Sequence, residues 1–149
     1  MNTEKVIAHL NHILELELAG VVRYTHYSLM VFGYNRIPIV SWLRSQATES
    51  LDHANKAGEL ITHFGGHPSL KIGRLLETEM HNVGEILTES LEHEEGALKA
   101  YQALLTEVEG HSVMLEEYAR EQIYTEELHL GEVDKMLRKP GTIAVHRES

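Results

Sequence analysis

An all-α fold, an antiparallel bundle of four long helices, is what this sequence predicts. Two observations lead there. Apolar residues recur at spacings of three and four through four long stretches, while chain breakers gather between those stretches. Runs of β-branched residues with a period of two, the mark of strands, are absent.

Each element follows from local chemistry. Asn2 and Thr3 offer N-caps for a first helix of roughly 30 residues. The segment Gly33–Pro38, GYNRIP, interrupts it. Pro38 suits the first turn of a second helix, where its missing N–H is not needed. Phe64–Gly73, FGGHPSLKIG, ends that helix and opens a long crossover between helices two and three. The third helix is expected from about Asn82 to Val108, stopped by Gly110. Ser112 caps the fourth, and Lys139-Pro140-Gly141 ends it. The chain 1–149 is read as one domain with a tail from about 140 to 149. There is no repeat and no low-complexity segment.

Composition narrows the function. With 13 basic and 23 acidic residues the formal net charge is −10, which argues against nucleic acid as a partner. Cysteine is absent, so neither a disulfide nor a thiolate metal site can form. The first 20 residues are amphipathic and charged throughout, without the apolar block of a signal peptide. No apolar run is long enough to span a membrane. A cytoplasmic location is the expectation.

Three of the four apolar stripes carry a carboxylate in the same slot. Leu10 and Leu14 precede Glu17, and Val21 and Tyr24 follow. Leu87 and Leu91 precede Glu94, and Leu98 and Tyr101 follow. Ala119 and Ile123 precede Glu126, and Leu130 and Val133 follow. Side chains at these spacings share one helix face, so each helix points a Glu at the centre of the bundle. A buried carboxylate is costly unless it is paired, protonated or bound to metal. Three in matching slots point to a shared cation site.

The second helix departs from the pattern. Leu43, Ala47, Ala54 and Ala57 frame Ser50, with His53 three residues on, as His129 follows Glu126. Glu49 lies about 40° from His53 around the helix and is expected to supply the missing carboxylate, directly or through water. Four carboxylates and two neutral imidazoles balance two divalent cations, whereas three carboxylates leave an excess of one positive charge. Imidazole with carboxylate suits iron, manganese or zinc.

These residues resemble the bacterioferritins of the ferritin-like superfamily. The resemblance runs from about Val6 to Leu137. It rests on VIAHLNHILELELAGVVRY around Glu17 and Tyr24, HANKAGELITHFGGHP from His53, LEHEEGALKAY around Glu94, and EELHLGEVD around Glu126. Ferritin-like di-iron bundles take one Glu from each of two helices and Glu-x-x-His from each of the others. The resemblance implies a di-iron ferroxidase centre, cage assembly and storage of ferric mineral. It carries over to Glu17, His53, Glu94, Glu126 and His129, with Tyr24 beside the centre. Three departures stand out. Ser50 replaces the bridging Glu of the second helix. Leu51 replaces the haem-ligating Met, so haem is not expected. A fifth helix is not expected after Pro140, which leaves a 24-subunit shell, a 12-subunit shell or a dimer open.

The leading functional expectation is iron oxidation and storage, with Fe(II) oxidised by O2 or peroxide in a homo-oligomer. Two rivals share the fold: a di-metal oxidase that stores nothing, and a structural subunit whose site has decayed at Ser50. Among the remaining histidines, His9, His12, His63 and His67 are expected at the surface or in turns, while His93, next to Glu94, is an alternative ligand. Trp42 and Tyr101 are expected to serve packing.

Overall fold

The computed structural model describes residues 1–75 and 77–146. Four helices follow in order: α1 (Thr3–Met30), α2 (Arg36–His63), α3 (Val83–Val108) and α4 (Val113–Leu137). The expected boundaries hold to within a residue or two. Asn2 caps α1 by accepting from the Lys5 N–H, Asn82 caps α3 through Glu85, and Ser112 caps α4 through Leu115. Gly33, Gly65, Gly110 and Gly141 all turn with positive φ at or near the helix ends, a conformation that costs glycine little. Among the described residues no α-helix follows α4, and there is no strand.

Side-chain packing fixes the topology. Val6 and Leu10 at the start of α1 join Ala57 and Ile61 near the end of α2, and Leu104 and Val108 near the end of α3. Tyr27 and Val31 at the other end of α1 join Val40, Leu43 and Ile86. Leu87 and Leu91 early in α3 join Leu130 and Val133 late in α4. Thus α1 is antiparallel to α2 and α3, and α4 is antiparallel to α3. Helices α2 and α3 therefore run the same way, and the connection between them must climb the length of the bundle.

The crossover is long enough for this. A 28-residue helix is about 42 Å long, and an extended chain over residues 64–82 reaches on the order of 60 Å. It is strapped to α1 on the way. Asn11 accepts from the Ser69 N–H at 2.7 Å and donates to the His67 carbonyl at 3.2 Å. The Gly73 N–H donates to the Glu15 carbonyl at 2.7 Å. A side chain at Gly73 would place its Cβ 3.1 Å from that carbonyl oxygen, so the close approach favours glycine.

The stripes are buried less evenly than their spacing predicts. Val21, Leu98, Ile123 and Ala47 are only half-buried, whereas Tyr24, Tyr101, Leu43 and Val133 are fully enclosed. A 3.6-residue period drifts relative to a seven-residue repeat, so a stripe moves off the core along a long helix.

Leu104 is completely buried in the largest cluster. Leu104→Ala is expected to cost about 2–5 kcal/mol in a denaturant titration, and Ser112→Ala, which removes a single cap, about 1 kcal/mol.

Candidate metal centre

The slots converge. Glu17, Glu94 and Glu126 are 3, 5 and 3 % exposed, each at the middle of its helix. Glu17 Oε2 lies 3.2 Å from His53 Nδ1, and Glu126 Oε1 lies 3.9 Å from the same nitrogen. One ligating atom from each of Glu17, His53 and Glu126 falls within 4.8 Å of the others. On the far side, Glu94 Oε1 lies 3.8 Å from His129 Nε2. Tyr24 ties the two together: its hydroxyl donates to Glu94 Oε1 at 2.6 Å and lies 3.2 Å from His129 Nε2. Glu94 and Glu126 share a hydrogen bond, which joins the two halves.

The site bridges helices whose backbones stay apart. No Cα of α2 lies within 8 Å of a Cα of α4. The gap is crossed by His53 reaching toward Glu126, and by the Trp42 indole stacked on the His129 ring with 4° between planes. Trp42 packs against two core clusters and lies parallel to the His129 ring, 6.0 Å between centroids.

Burial sets the proton positions. Removal from water, reinforced by the charge of Glu94, pushes the Glu126 carboxyl up to about 12. Burial also pushes Glu17 up to about 7, against the hydrogen bond with His53 that favours its charge. Burial opposes charge on Glu94 as well, yet the hydrogen bond from Glu126, the nearby imidazoles and the Tyr24 hydroxyl outweigh it and hold Glu94 below the usual carboxylate range. Without metal, Glu94 is thus the ionised partner of a protonated Glu126. His53 is disfavoured as a cation by burial, but the Glu17 carboxylate wins and raises it.

Ser50 and Glu49 divide what one residue was expected to do. Ser50 packs against α1 at Gly20. A Cβ at Gly20 would stand 2.8 Å from Ser50 Oγ, so two small residues let α1 and α2 close on each other there. His93 reaches the same spot from α3, its Nε2 3.2 Å from that Cβ position. Burial holds the His93 imidazole below its ordinary pKa, hence neutral. Glu49 is half-buried, with Oε1 3.8 Å from His53 Nε2, on the opposite edge of the ring from Glu17 and Glu126.

A second buried charge cluster gave no warning in the stripe pattern. Arg23 and Glu89 are both enclosed, with 3.9 Å between guanidinium and carboxylate. Glu89 also accepts from Tyr27 at 2.6 Å and from Thr78 at 2.8 Å. The available signal was a pair of opposite charges just off two stripes, Arg23 one position before Tyr24 and Glu89 midway between Leu87 and Leu91.

Residues 7–142 match the ferritin-like domain family. The chain belongs to this family. Over 99 residues this ferritin-like protein is 36% identical to the bacterioferritin of Brucella melitensis biotype 1, a match covering 65% of this chain and 60% of that bacterioferritin's length. The ferritin-like, diiron-carboxylate protein of Bacillus anthracis str. Ames superposes with a TM-score of 0.86 at 24% identity, over 91% of this chain and 97% of its own. At that identity the likeness speaks for the fold. Rhodobacter capsulatus bacterioferritin, seen with a metal-free dinuclear site and haem iron, gives a TM-score of 0.83 at 25% identity, covering 90% and 84%. The resemblance to bacterioferritins and the ferritin-like bundle expected from sequence are both borne out.

The raised carboxyls make stability depend on pH. From about pH 4.5 upward the folded chain holds protons on Glu17 and Glu126 that the unfolded chain has released, so rising pH favours unfolding. For Glu17 the loss runs from about 4.5 to about 7, and raised His53 acts in the same direction. Metal-free protein should therefore melt at a lower temperature at pH 7.5 than at pH 5.5. Glu126→Gln, which keeps a neutral group there, should flatten that slope, as read by calorimetry.

Proposed function

We propose that this ferritin-like protein oxidises and stores iron, with Fe(II) as substrate and cargo. The observation that carries the reading is the convergence of Glu17, His53 and Glu126 inside the bundle, with the Glu94–His129 pair beside them. Their oxygen and nitrogen donors suit Fe(II), and Mn(II) or Zn(II) can occupy the same set. The fit has a specific feature: Glu126 Oε2 is shielded from solvent with no protein donor reaching it. A cation there would satisfy that oxygen and replace the proton on Glu126. In the reaction, two Fe(II) give up one electron each. O2 takes the two electrons with two protons and leaves as hydrogen peroxide, or peroxide takes them with two protons and leaves as two waters.

The protein residues have distinct roles in this reading. Glu17 and His53 hold one cation position, Glu94 and His129 the other, and Glu126 lies between them. Glu17 and Glu126 release protons as cations arrive, so affinity rises with pH. Tyr24 orients Glu94 and His129 through its hydroxyl, and Trp42 restrains the His129 ring. Glu49 contributes charge from the Nε2 side of His53. Its Oε1 lies 3.8 Å from Nε2, so a small side-chain rotation would let it accept from Nε2–H and leave Nδ1 to face the cation, and loss of an outer partner of that kind typically weakens metal binding 10–100-fold. Haem has no ligand at Leu51, whose side chain is half-exposed on α2. Self-assembly is supported by Phe32, Tyr34 and Ile37 at the α1–α2 turn, which are 74, 108 and 83 % exposed, an apolar group of the kind that marks contact surfaces.

Stopped-flow absorbance after aerobic mixing with Fe(II) tests the core of the reading. The parent should oxidise two Fe(II) per chain in a fast phase, which Glu94→Ala or Glu126→Ala should abolish. Tyr24→Phe should slow that phase while leaving two cations bound. A parent chain that oxidises iron no faster than buffer would remove the proposal. Static light scattering should find a particle far heavier than the 16.9 kDa chain.

The role of Glu49 has its own test. Glu49→Ala should weaken the second Fe(II) by about 10-fold or more in anaerobic titrations, whereas Ser50→Ala should change little. Equal affinity in Glu49→Ala and parent would make Glu49 a solvated surface charge and turn attention to His93.

A further inference from the structure

A second group of metal-ligating side chains lies outside the bundle, where the crossover docks on α1. His26 projects from α1, and Glu77 and His81 come from the crossover just before α3. Glu77 Oε2 lies 2.8 Å from His26 Nε2, and Glu77 Oε1 lies 3.4 Å from His81 Nε2. One ligating atom from each of the three falls within 4.8 Å of the others. The two imidazole rings meet edge to face, 6.0 Å between centroids.

Local structure explains the convergence. Residues 77–81 are not helical, so their spacing alone would not aim Glu77 and His81 together. The backbone turns at Glu79, which has φ 58°, and the Glu79 N–H donates to Glu77 Oε1. Thr78 is anchored to buried Glu89 at 2.8 Å, which fixes this part of the crossover against the bundle. A cleft of about 210 Å³, lined by Val22, His26, Tyr27, Leu75 and Glu77 among others, adjoins the group.

The decisive detail is His81. Its Nε2 is shielded from solvent and makes no hydrogen bond, although the Glu77 carboxylate lies 3.4 Å away. A shielded imidazole nitrogen without a hydrogen bond loses its water partner and gains little in return. A cation between the three side chains supplies what is missing. Ligands 2.0–2.2 Å from a tetrahedral ion stand roughly 3.3–3.6 Å apart. Of the two Glu77 contacts, the one to His81 at 3.4 Å falls within that range and the one to His26 at 2.8 Å falls short of it, so small side-chain rotations would close the shell. Two imidazoles and one carboxylate leave a fourth position to water, since His26 and Glu77 are only partly covered, with side chains 44 and 43 % exposed.

We propose that His26, Glu77 and His81 form a second metal site, which takes one divalent first-row transition-metal cation and pins the crossover to α1. The donor set selects the class. Calcium and magnesium prefer oxygen ligands throughout, whereas zinc and Fe(II) accept imidazole with carboxylate. This inference is independent of the proposed iron oxidation, because none of the three residues belongs to the buried centre.

The test counts zinc. Parent chain and the variants His26→Gln and His81→Gln are dialysed against Zn(II) with excess Mg(II), and bound zinc per chain is measured by elemental analysis. Each variant should hold one zinc fewer than the parent, while its Fe(II) oxidation rate stays at the parent value. Equal zinc counts in parent and both variants would overturn the site. Should either variant fail to fold by circular dichroism, anomalous diffraction from zinc-soaked crystals of the parent decides. A peak between His26, Glu77 and His81 supports the site, and its absence at full occupancy of the buried centre overturns it.

Discussion

Everything at the middle of this bundle answers to one constraint: three carboxylates buried within reach of one another. Each would be expensive to keep charged in isolation. The protein meets the cost with a proton on Glu126, a charge on Glu94 and a shared hydrogen bond between them. Tyr24 and His129 steady the charged member, and His53 steadies Glu17. No apolar core would need this arrangement. Its cost to stability is acceptable only if the group does something an apolar core cannot, and holding cations is what its donors are suited to do.

The remainder of the fold gives that constraint its shape. Because α2 and α4 keep their backbones apart, the space between them is filled by ligating and aromatic side chains. Because α1 and α2 carry only Gly20 and Ser50 where they meet, the His93 ring of α3 fits in beside them. The asymmetry of the site is thus a consequence of helix spacing. One face is wide and bridged by His53 and Trp42, and the other is closed by Gly20, Ser50 and the His93 ring.

Sequence spacing made most of this legible. Glu17, Glu94 and Glu126 share a slot in their stripes, and His53 and His129 lie one turn from slot positions on their own helices. Caps at Asn2 and Ser112 and the glycine turns placed the helix ends. The remainder needed three dimensions. That Ser50 packs against Gly20 of another helix shows nowhere in its own helix. Arg23 and Glu89 lie off the stripes, and they meet only because α1 and α3 run antiparallel. His93 adjoins Glu94 in sequence, yet its ring leads to the Gly20 side of the centre. Glu49 is near His53, as the helical wheel requires, but a wheel gives no indication of which ring nitrogen it faces.

The parallel course of α2 and α3 has a consequence for how the molecule assembles. Helices α1 and α2 form one hairpin of local contacts, and α3 and α4 form another. Glu17 and His53 belong to the first, while Glu94, Glu126 and His129 belong to the second. Neither hairpin alone carries a complete donor set. The set exists only after the crossover has been laid along α1 and the halves have docked, a non-local step that comes late when loop closure is slow. Interactions absent from the folding transition state act on the unfolding rate. A cation bound at the centre would therefore act chiefly as a latch, lengthening the life of the folded chain without hastening its formation.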